Sequence, residues 1–488
     1  MRGLRGWVPT RRRAWALGTT DVAHARLLAD AERVTGDVPA GCAWLDERTV
    51  GDLDLPLVFR TIDRTATPSG AQALWRWLVA PAVQLDVLDA RERSLARLAD
   101  PALRERVRDA IGGQPSSDAP HLPRLLWEPL PTPLRTGALA ALAATLVLLG
   151  VLAVWWPMLV IGCVALLVAN VLIDDWVSLR FAPHSRALEV LGQVIGAAER
   201  IVARSAWADP AITQDVAACA RFRKRLAWLT VRDQLGLADL LRGGFLLRLL
   251  MLGRWMRVIE RDRDRLRRVV RWVGELDALA SIAALRAERA DVRVPRLATG
   301  PAPITARDLV HPAVTGAIGN DLALDGGLLL TGSNASGKST FLRAIAINAI
   351  CAQSIHTTFG SWDAGLVRVF AVMRIADVTA EGTSTYAVEV AAIGALVDAV
   401  RDGELPALFA IDEPFRGTNP ALRVPIVVSV LDYLGARDVA IAATHDLDVA
   451  AQVGRRFARG YFSEPDDTTG QFDRKLRPGI APTSNALA

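Results

Sequence analysis

The sequence predicts a mainly parallel α/β domain lying C-terminal to an all-α helical core, which a hydrophobic hairpin of membrane-spanning length interrupts. Three observations predict it. Apolar residues recur at helical spacing in the first half, at Leu74, Leu78, Leu85, Leu88, Leu95 and Leu98. From Gly137 to Ile173 there is no Asp, Glu, Lys or Arg. From about Val292 the texture changes to short apolar runs, glycine turns and helical stretches, as alternating strands and helices require. With 488 residues, 51% of them hydrophobic and 22% charged, the chain is too apolar to be disordered, and its 37 Gly and 26 Pro show no collagen-like period.

Taken in order, residues 1–50 read as a helical segment without a motif, and residues 51–134 as the first part of the helical core, with a helix start at Thr67-Pro68 and a proline-rich linker over 115–133. Residues 135–175 hold the charge-free run. It exceeds the ~20 apolar residues one spanning helix needs, and Trp155, Trp156 and Pro157 divide it where a chain would turn at the far headgroups. Two transmembrane spans, 137–156 and 158–173, are therefore expected, and the Arg-rich flanks place both ends in the cytoplasm of a cell-membrane protein. A buried hairpin in a soluble core is the alternative. Residues 176–291 read as the second part of the helical core and 292–488 as the α/β domain, with strands at Leu328–Leu330, Val367–Val372, Ala407–Ile411 and Val439–Ala443.

Charge and cysteine usage exclude other classes. Cys42, Cys163, Cys219 and Cys351 form no paired spacing, so neither a disulfide framework nor a zinc site is written here. The N-terminal arginines precede no apolar run of the kind a cleaved leader needs. Net charge is +5, and only Lys224, Lys338 and Lys475 are lysines, so the basic balance reads as an arginine-rich composition. Between Arg221 and Arg271 there are fifteen basic and five acidic residues. A solvated helix face, DNA phosphates and anionic lipid headgroups all fit that stretch.

The chemistry concentrates near residue 332. Gly332-Ser333-Asn334-Ala335-Ser336-Gly337-Lys338-Ser339 matches G-x-x-x-x-G-K-[ST], follows an apolar strand and opens onto a helical stretch beginning with Thr340. Such a loop curls its N–H groups around phosphate oxygens; Lys338 would neutralise the β and γ phosphates of ATP and Ser339 would ligate Mg²⁺. Downstream, Leu408–Ile411 ends in Asp412 and Glu413. Asp412 suits the Mg²⁺, and Glu413 could orient or deprotonate an attacking water. A third strand ends in Thr444-His445, placing His445 where it could sense the γ-phosphate.

The order Gly332 to Thr340, then Ser384-Thr385-Tyr386-Ala387-Val388-Glu389, then Ile411 to Asn419, then Ala443-Thr444-His445 resembles the ATPase domain of the MutS family of DNA mismatch-repair proteins. Arg307 to Asp321 is similar to the segment before the family's phosphate loop. Glu275 to Ser281 is similar to the helix joining its core to the ATPase, and Ile62 to Gly70 with Trp75 to Leu78 to the start of that core. The resemblance implies a homodimeric ATPase with each nucleotide shared between two subunits. It further implies that Ser384 begins a helix and reaches the partner's γ-phosphate, that Gly417-Thr418-Asn419 lines the seam, and that DNA is bound.

The departures define a short variant. No mismatch-reading domain is expected before residue 55, since the Phe-x-Glu reading motif does not occur there and Phe462-x-Glu464 is near the C-terminus, and Ala317-Ile318-Gly319 stands where the family places an aromatic under the adenine. The expectation is thus a membrane-anchored, Mg²⁺-dependent MutS-like ATPase, with lipid met through 137–173. Its rivals are a nucleotide-gated membrane scaffold that binds no DNA and an ABC-type transport ATPase.

Overall fold

A computed structural model of the full chain describes residues 38–112, 122–130, 136–204, 207–226, 243–300, 302–333, 336–373, 385–401, 405–415, 419–463 and 472–482. Six helices open the described chain: α1 (Glu47–Asp52), α2 (Leu55–Ile62), α3 (Pro68–Val79), α4 (Leu85–Leu98), α5 (Pro101–Ile111) and α6 (Leu122–Trp127). The start of α3 follows from Thr67 as N-cap, whose hydroxyl accepts from Gly70 N, with Pro68 at the first helical position. Of the N-terminal segment expected to be helical, residues 1–37 lie outside the described part, and within 38–50 the helix begins at Glu47.

The charge-free run forms α7 (Thr136–Leu152), a turn through Trp155-Trp156-Pro157, and α8 (Leu159–Arg204). α7 ends at Leu152, before the tryptophans, and α8 does not stop near 173 but continues without a break to Arg204. Only its stretch Leu159–Ala182 is long and apolar enough to cross a membrane; α7, with 17 residues, is shorter. The two-span hairpin expected from composition is therefore corrected to one candidate span paired with a shorter apolar helix.

Two further helices complete the helical layer, α9 (Pro210–Leu226) and the long α10 (Leu247–Glu288), which departs from helical dihedrals only at Asp262. Here the basic stretch finds its partners. Arg265 and Arg268 hold Asp215 at 3.0 and 2.8 Å, Arg263 holds Glu260, Arg267 holds Asp264, Arg223 holds Glu199, and Arg248 holds Asp174. Among the described residues, Arg223, Arg248, Arg265 and Arg268 thus bind helices to one another, while Arg263 and Arg267 pair within α10.

The C-terminal half alternates strands and helices: β1 (Val292–Arg293), β2 (Arg296–Ala298), β3 (Ile304–Leu309), β4 (Asn320–Leu324), β5 (Gly327–Thr331), α11 (Lys338–Ser354), β6 (Thr358–Phe359), β7 (Ser361–Gly365), β8 (Arg368–Val372), α12 (Thr385–Arg401), β9 (Ala407–Asp412), α13 (Pro420–Leu434), β10 (Val439–Ala443), α14 (Leu447–Gln452), β11 (Phe457–Phe462) and β12 (Leu476–Pro478). The main sheet has the order β12-β11-β5-β10-β9-β8 and is parallel except for β12; a smaller mixed sheet has the order β2-β7-β3-β4.

Side-chain alternation splits the main sheet between two cores. Leu328, Leu330, Leu408, Ala410 and Ile441 face α11 and are continuous with the helical layer, whereas Leu329, Phe409, Ile411 and Ala440 face α13. The edge strand β8 is covered from the N-terminal side of the chain: Thr49 Oγ1 accepts from Ala371 N at 2.9 Å and Asp52 Oδ2 from Met373 N at 2.8 Å. A sheet edge left open invites foreign strands, and α1 closes this one.

Helical layer and α/β domain are joined by α10. Near its end the buried Asp277 accepts from Ala66 N, Thr67 N and Thr67 Oγ1 at 3.0, 2.8 and 2.6 Å, and Ser281 Oγ accepts from Arg64 N at 2.7 Å. Burial pushes the Asp277 carboxyl up from 3.8 to about 6, against the opposing pull of those donors. Between pH 4 and 6 the native state keeps a proton that the unfolded chain has released, so this group's contribution to stability falls as pH rises through that window and is level above it. Unfolding free energies of the wild type and Asp277→Asn should therefore converge or cross on going from pH 4.5 to 7, the wild type losing roughly 2 kcal/mol relative to the variant. Parallel pH profiles would show that Asp277 does not carry this proton.

Candidate functional site

The site grows out of strand register. Ala443 of β10 lies opposite Leu330 of β5 on one side and Asp412 of β9 on the other, so three parallel strands end level. The turns that leave them carry Gly332, Glu413 and His445 to the same edge of the sheet, where carboxyl ends of strands meet a helix N-terminus.

After β5 the chain must reverse into α11 within a few residues. Gly332 has φ +133°, and a Cβ there would sit 2.7 Å from Phe462 O; Gly337, at φ +115°, is the N-cap of α11. Lys338 folds back into this loop, its ammonium donating to Gly332 O at 2.6 Å and Ser333 O at 2.7 Å. Burial lowers its pKa, while the Glu413 and Asp412 charges pull the other way. Ser333 Oγ and Ser336 Oγ are buried with no hydrogen-bond partner among the described residues. Asn334 and Ala335, expected to complete the cradle, lie outside the described residues.

Asp412 is half-buried at the end of β9. Burial raises its pKa, against a hydrogen bond from Ser339, and its Oδ1 is buried without a partner among the described residues. A serine hydroxyl beside an acceptor oxygen that lacks a donor is the donor set a hard divalent cation completes, so Ser339 and Asp412 fit Mg²⁺. Among the described residues no group of three or more His, Cys, Asp or Glu could hold a metal, so such an ion would draw its remaining ligands from water and a bound phosphate.

Glu413 is turned out of the strand. Its φ is +48°, and Phe415 two residues on has φ +57° with a buried ring. Left-handed backbone at two non-glycine residues costs on the order of 1–3 kcal/mol each and persists only where packing fixes it. The result is that Glu413 Oε2 meets His445 Nδ1 at 2.7 Å, while Glu413 N donates to Ala443 O at 2.9 Å. His445 thus touches the carboxylate expected to activate water. Its loop is fixed by Asp446, which caps α14 and pairs with Arg423 at 2.8 Å.

Beside the loop a cavity of about 290 Å³ opens between Ala317, Ile318, Asn320, Phe341, Phe462 and Arg474. Asn320 Nδ2 donates to Arg474 O at 3.1 Å and its Oδ1 accepts from Leu476 N at 2.8 Å, so one side chain closes the cavity against the C-terminal strand. His311 also lines it, and burial depresses its pKa to about 4, leaving a neutral ring near neutral pH. Sequence reasoning found Ala317-Ile318-Gly319 without an aromatic but missed Arg474, because no local pattern links residue 474 to residue 320.

Ser384 and Gly417-Thr418, expected at a seam with a second copy, lie outside the described residues; α12 begins at the adjacent Thr385.

Residues 328–484 match the family model described as MutS domain V. The chain is 33% identical over 246 residues to a DNA mismatch repair protein MutS of Chloroflexus aurantiacus, covering 46% of this chain and 24% of that protein. It is 33% identical over 242 residues to one of Natronomonas pharaonis, covering 45% and 27%, and 34% identical over 165 residues to a DNA mismatch repair protein MutS 2 of Haloarcula marismortui, covering 32% and 17%. The chain thus spans about a quarter of the length of the first of these relatives.

Gly332→Ala should cost about 2 kcal/mol of stability, from the left-handed φ and the contact with Phe462 O together. Chemical denaturation measures it, and an unchanged midpoint would mean that the loop adopts another path.

Proposed function

We propose, from the premise that this chain is a MutS-family protein, that it is a Mg²⁺-dependent ATPase whose nucleotide state is coupled to assembly with a second copy and to DNA, and that it works at a membrane. What carries the ATPase reading is the convergence of the Lys338 loop, Asp412 and the Glu413–His445 pair at level strand ends. Bound Mg²⁺ supplies neutralisation of the triphosphate charge. Within the chain's own residues, Lys338 and the loop N–H groups hold the phosphates, Ser339 and Asp412 hold the cation, and Glu413 takes a proton from water. His445 keeps the Glu413 carboxylate in place, and the cavity lined by Ile318, Phe341 and Arg474 has room for a base.

Dimerisation, with Ser384 reaching across the seam, and DNA binding follow from the family; the relatives are named for DNA mismatch repair. A second reading is favoured by one observation. Many arginines in the 221–271 stretch are paired with Asp174, Glu199, Asp215, Glu260 and Asp264, which leaves fewer of them to meet phosphates. A nucleotide-gated scaffold at the membrane would need no such contacts. The similarity of 328–484 to MutS domain V supports the MutS-family reading over a transport ATPase.

Membrane attachment rests on the exposed apolar surface of α7 and α8, where Trp155, Trp156, Met158, Ile161 and Leu179 are each more than 60% exposed. The ATPase domain is then cytoplasmic, on the side of the arginine-rich flanks. Carbonate washing of membranes should leave the protein in the pellet, and release into the supernatant would refute insertion.

Steady-state phosphate release tests the rest. Lys338→Ala should abolish turnover, and Glu413→Gln should keep ATP binding while slowing hydrolysis at least about 100-fold. Normal hydrolysis by Glu413→Gln would remove it as the base. Binding to homoduplex, mismatched and branched DNA at low and high salt separates the two readings, since a DNA-binding protein must show an affinity that falls with salt.

A further inference from the structure

We propose that the start of α10 is seated inside the apolar hairpin through a polar notch, Asn170 and Asp174 against Gly244 and Arg248, and that the bilayer thereby regulates ATP turnover; this rests on the membrane-anchored ATPase reading above. The stretch Leu159–Ala182 has two unlike faces. Outward lie Ile161, Val164, Val168, Leu172, Trp176 and Leu179, all more than half exposed. Inward, one turn apart, lie Asn170 at 0% and Asp174 at 2% exposure. Asp175 and Arg180, near the Trp176 end, are exposed, so Asn170 and Asp174 are the polar side chains hidden on this stretch, and hidden polar groups are costly unless something pairs with them.

What pairs with them comes from α10 and the residues just before it. Asn170 Nδ2 donates to Gly244 O at 2.8 Å, and Arg248 pairs with Asp174 and, at 3.5 Å, with Asp175. The approach at Gly244 is close: a Cβ there would come within 2.3 Å of Leu167 Cδ1, which would have to turn away, and one on Gly243 would lie 3.5 Å from Asp174 Oδ2. Small residues that let backbones approach, with a polar group bonded across, are how helices associate in lipid, where apolar surface alone gives no preference for a neighbour.

The occupant of the outward face is a lipid bilayer. At ~1.5 Å per residue, the 24 residues of Leu159–Ala182 reach about 36 Å, enough for a hydrocarbon core of about 30 Å. Trp155 and Trp156 stand at one end of that length and Trp176 near the other, as interfacial indoles do. Asn170 stands at the middle of that length and Asp174 one turn nearer the Trp176 end, so the beginning of α10 meets the hairpin at a depth where the surrounding lipid acts on it.

At its far end α10 is bonded to the nucleotide site's supports. Arg286 reaches Thr357 Oγ1 at 3.0 Å and His356 O at 2.5 Å, in the turn that follows α11. Just beyond the helix Arg289 reaches Pro312 O at 3.1 Å, next to His311 in the cavity wall. One helix thus touches the hairpin at its start and, at its end, the turn that follows α11 and the residue next to His311. A medium that shifts the notch shifts those supports.

The test compares ATP hydrolysis in detergent micelles with that in phosphatidylcholine–phosphatidylglycerol vesicles, for wild type, Gly244→Leu, Arg248→Asp and the double exchange Asp174→Arg with Arg248→Asp. Wild type should change kcat about fivefold between the two media, at constant KM for ATP. Gly244→Leu and Arg248→Asp should hydrolyse ATP in micelles as wild type does and lose the response to vesicles, and the double exchange should recover it. A wild type indifferent to vesicles, or single variants that respond in full, would overturn the inference. Carbonate washing of the same vesicles separates the causes: protein that stays bound yet does not respond refutes the coupling alone, whereas protein that washes off refutes the membrane reading and the coupling with it. Absence of hydrolysis in both media refutes the ATPase reading and this inference together.

Discussion

The alignment of Leu330, Ala443 and Asp412 in one row across three parallel strands is the constraint on which the rest of the site depends. Hydrogen-bonded strands are held about 4.8 Å apart, and their side chains alternate with a period of two, so a shift of one residue would send Asp412 to the opposite face of the sheet. With the row fixed, the loop around Lys338, the carboxylates and His445 face one another without any long-range design in the loops themselves. β10 lies between β5 and β9, which separates the phosphate loop from Asp412 by one strand and leaves space between them for a cation and phosphate.

This edge carries backbone strain. Glu413 and Phe415 both hold left-handed backbone, and the burial of the Phe415 ring stabilises the turn that carries Glu413 outward to His445. The same edge holds buried polar atoms that have no partner among the described residues, at Ser333, Ser336 and Asp412, whereas both oxygens of the buried Asp277 are bonded. Unmet donors and acceptors are expensive in a folded core and are retained where a ligand completes them. Elsewhere electrostatics works for assembly: arginines on α9 and α10 tie the helical layer to itself.

Much of this was legible in the chain. The spacing of Gly332, Gly337, Lys338 and Ser339, the run ending at Asp412, and the strands at 328–330, 407–411 and 439–443 are local patterns, set by backbone curvature and side-chain alternation over a few residues. Thr67-Pro68 announced a helix for the same local reason. The charge-free run announced apolar helices, yet composition could not say that α7 ends at Leu152 or that α8 continues to Arg204, because a helix ends where capping and packing end it. Nor could charge counting say whether Arg265 and Arg268 face solvent or Asp215, fifty residues away.

The sequence by itself determined the chemistry on offer: a glycine-flanked loop with Lys338 and Ser339, two acids at a strand tip, a histidine at another, and a run of helix without charge. Only the tertiary structure decided that Glu413 and His445 touch, that Arg474 and Asn320 close the cavity beside the loop, that Asp52 and Thr49 cap the β8 edge, and that Asn170 and Asp174 face Gly244 and Arg248. The physical reason is separation along the chain. Backbone preference and side-chain period act over a handful of residues, whereas these partners stand 32 to more than 300 residues apart and meet only once sheet register and helix packing have fixed the distances between them.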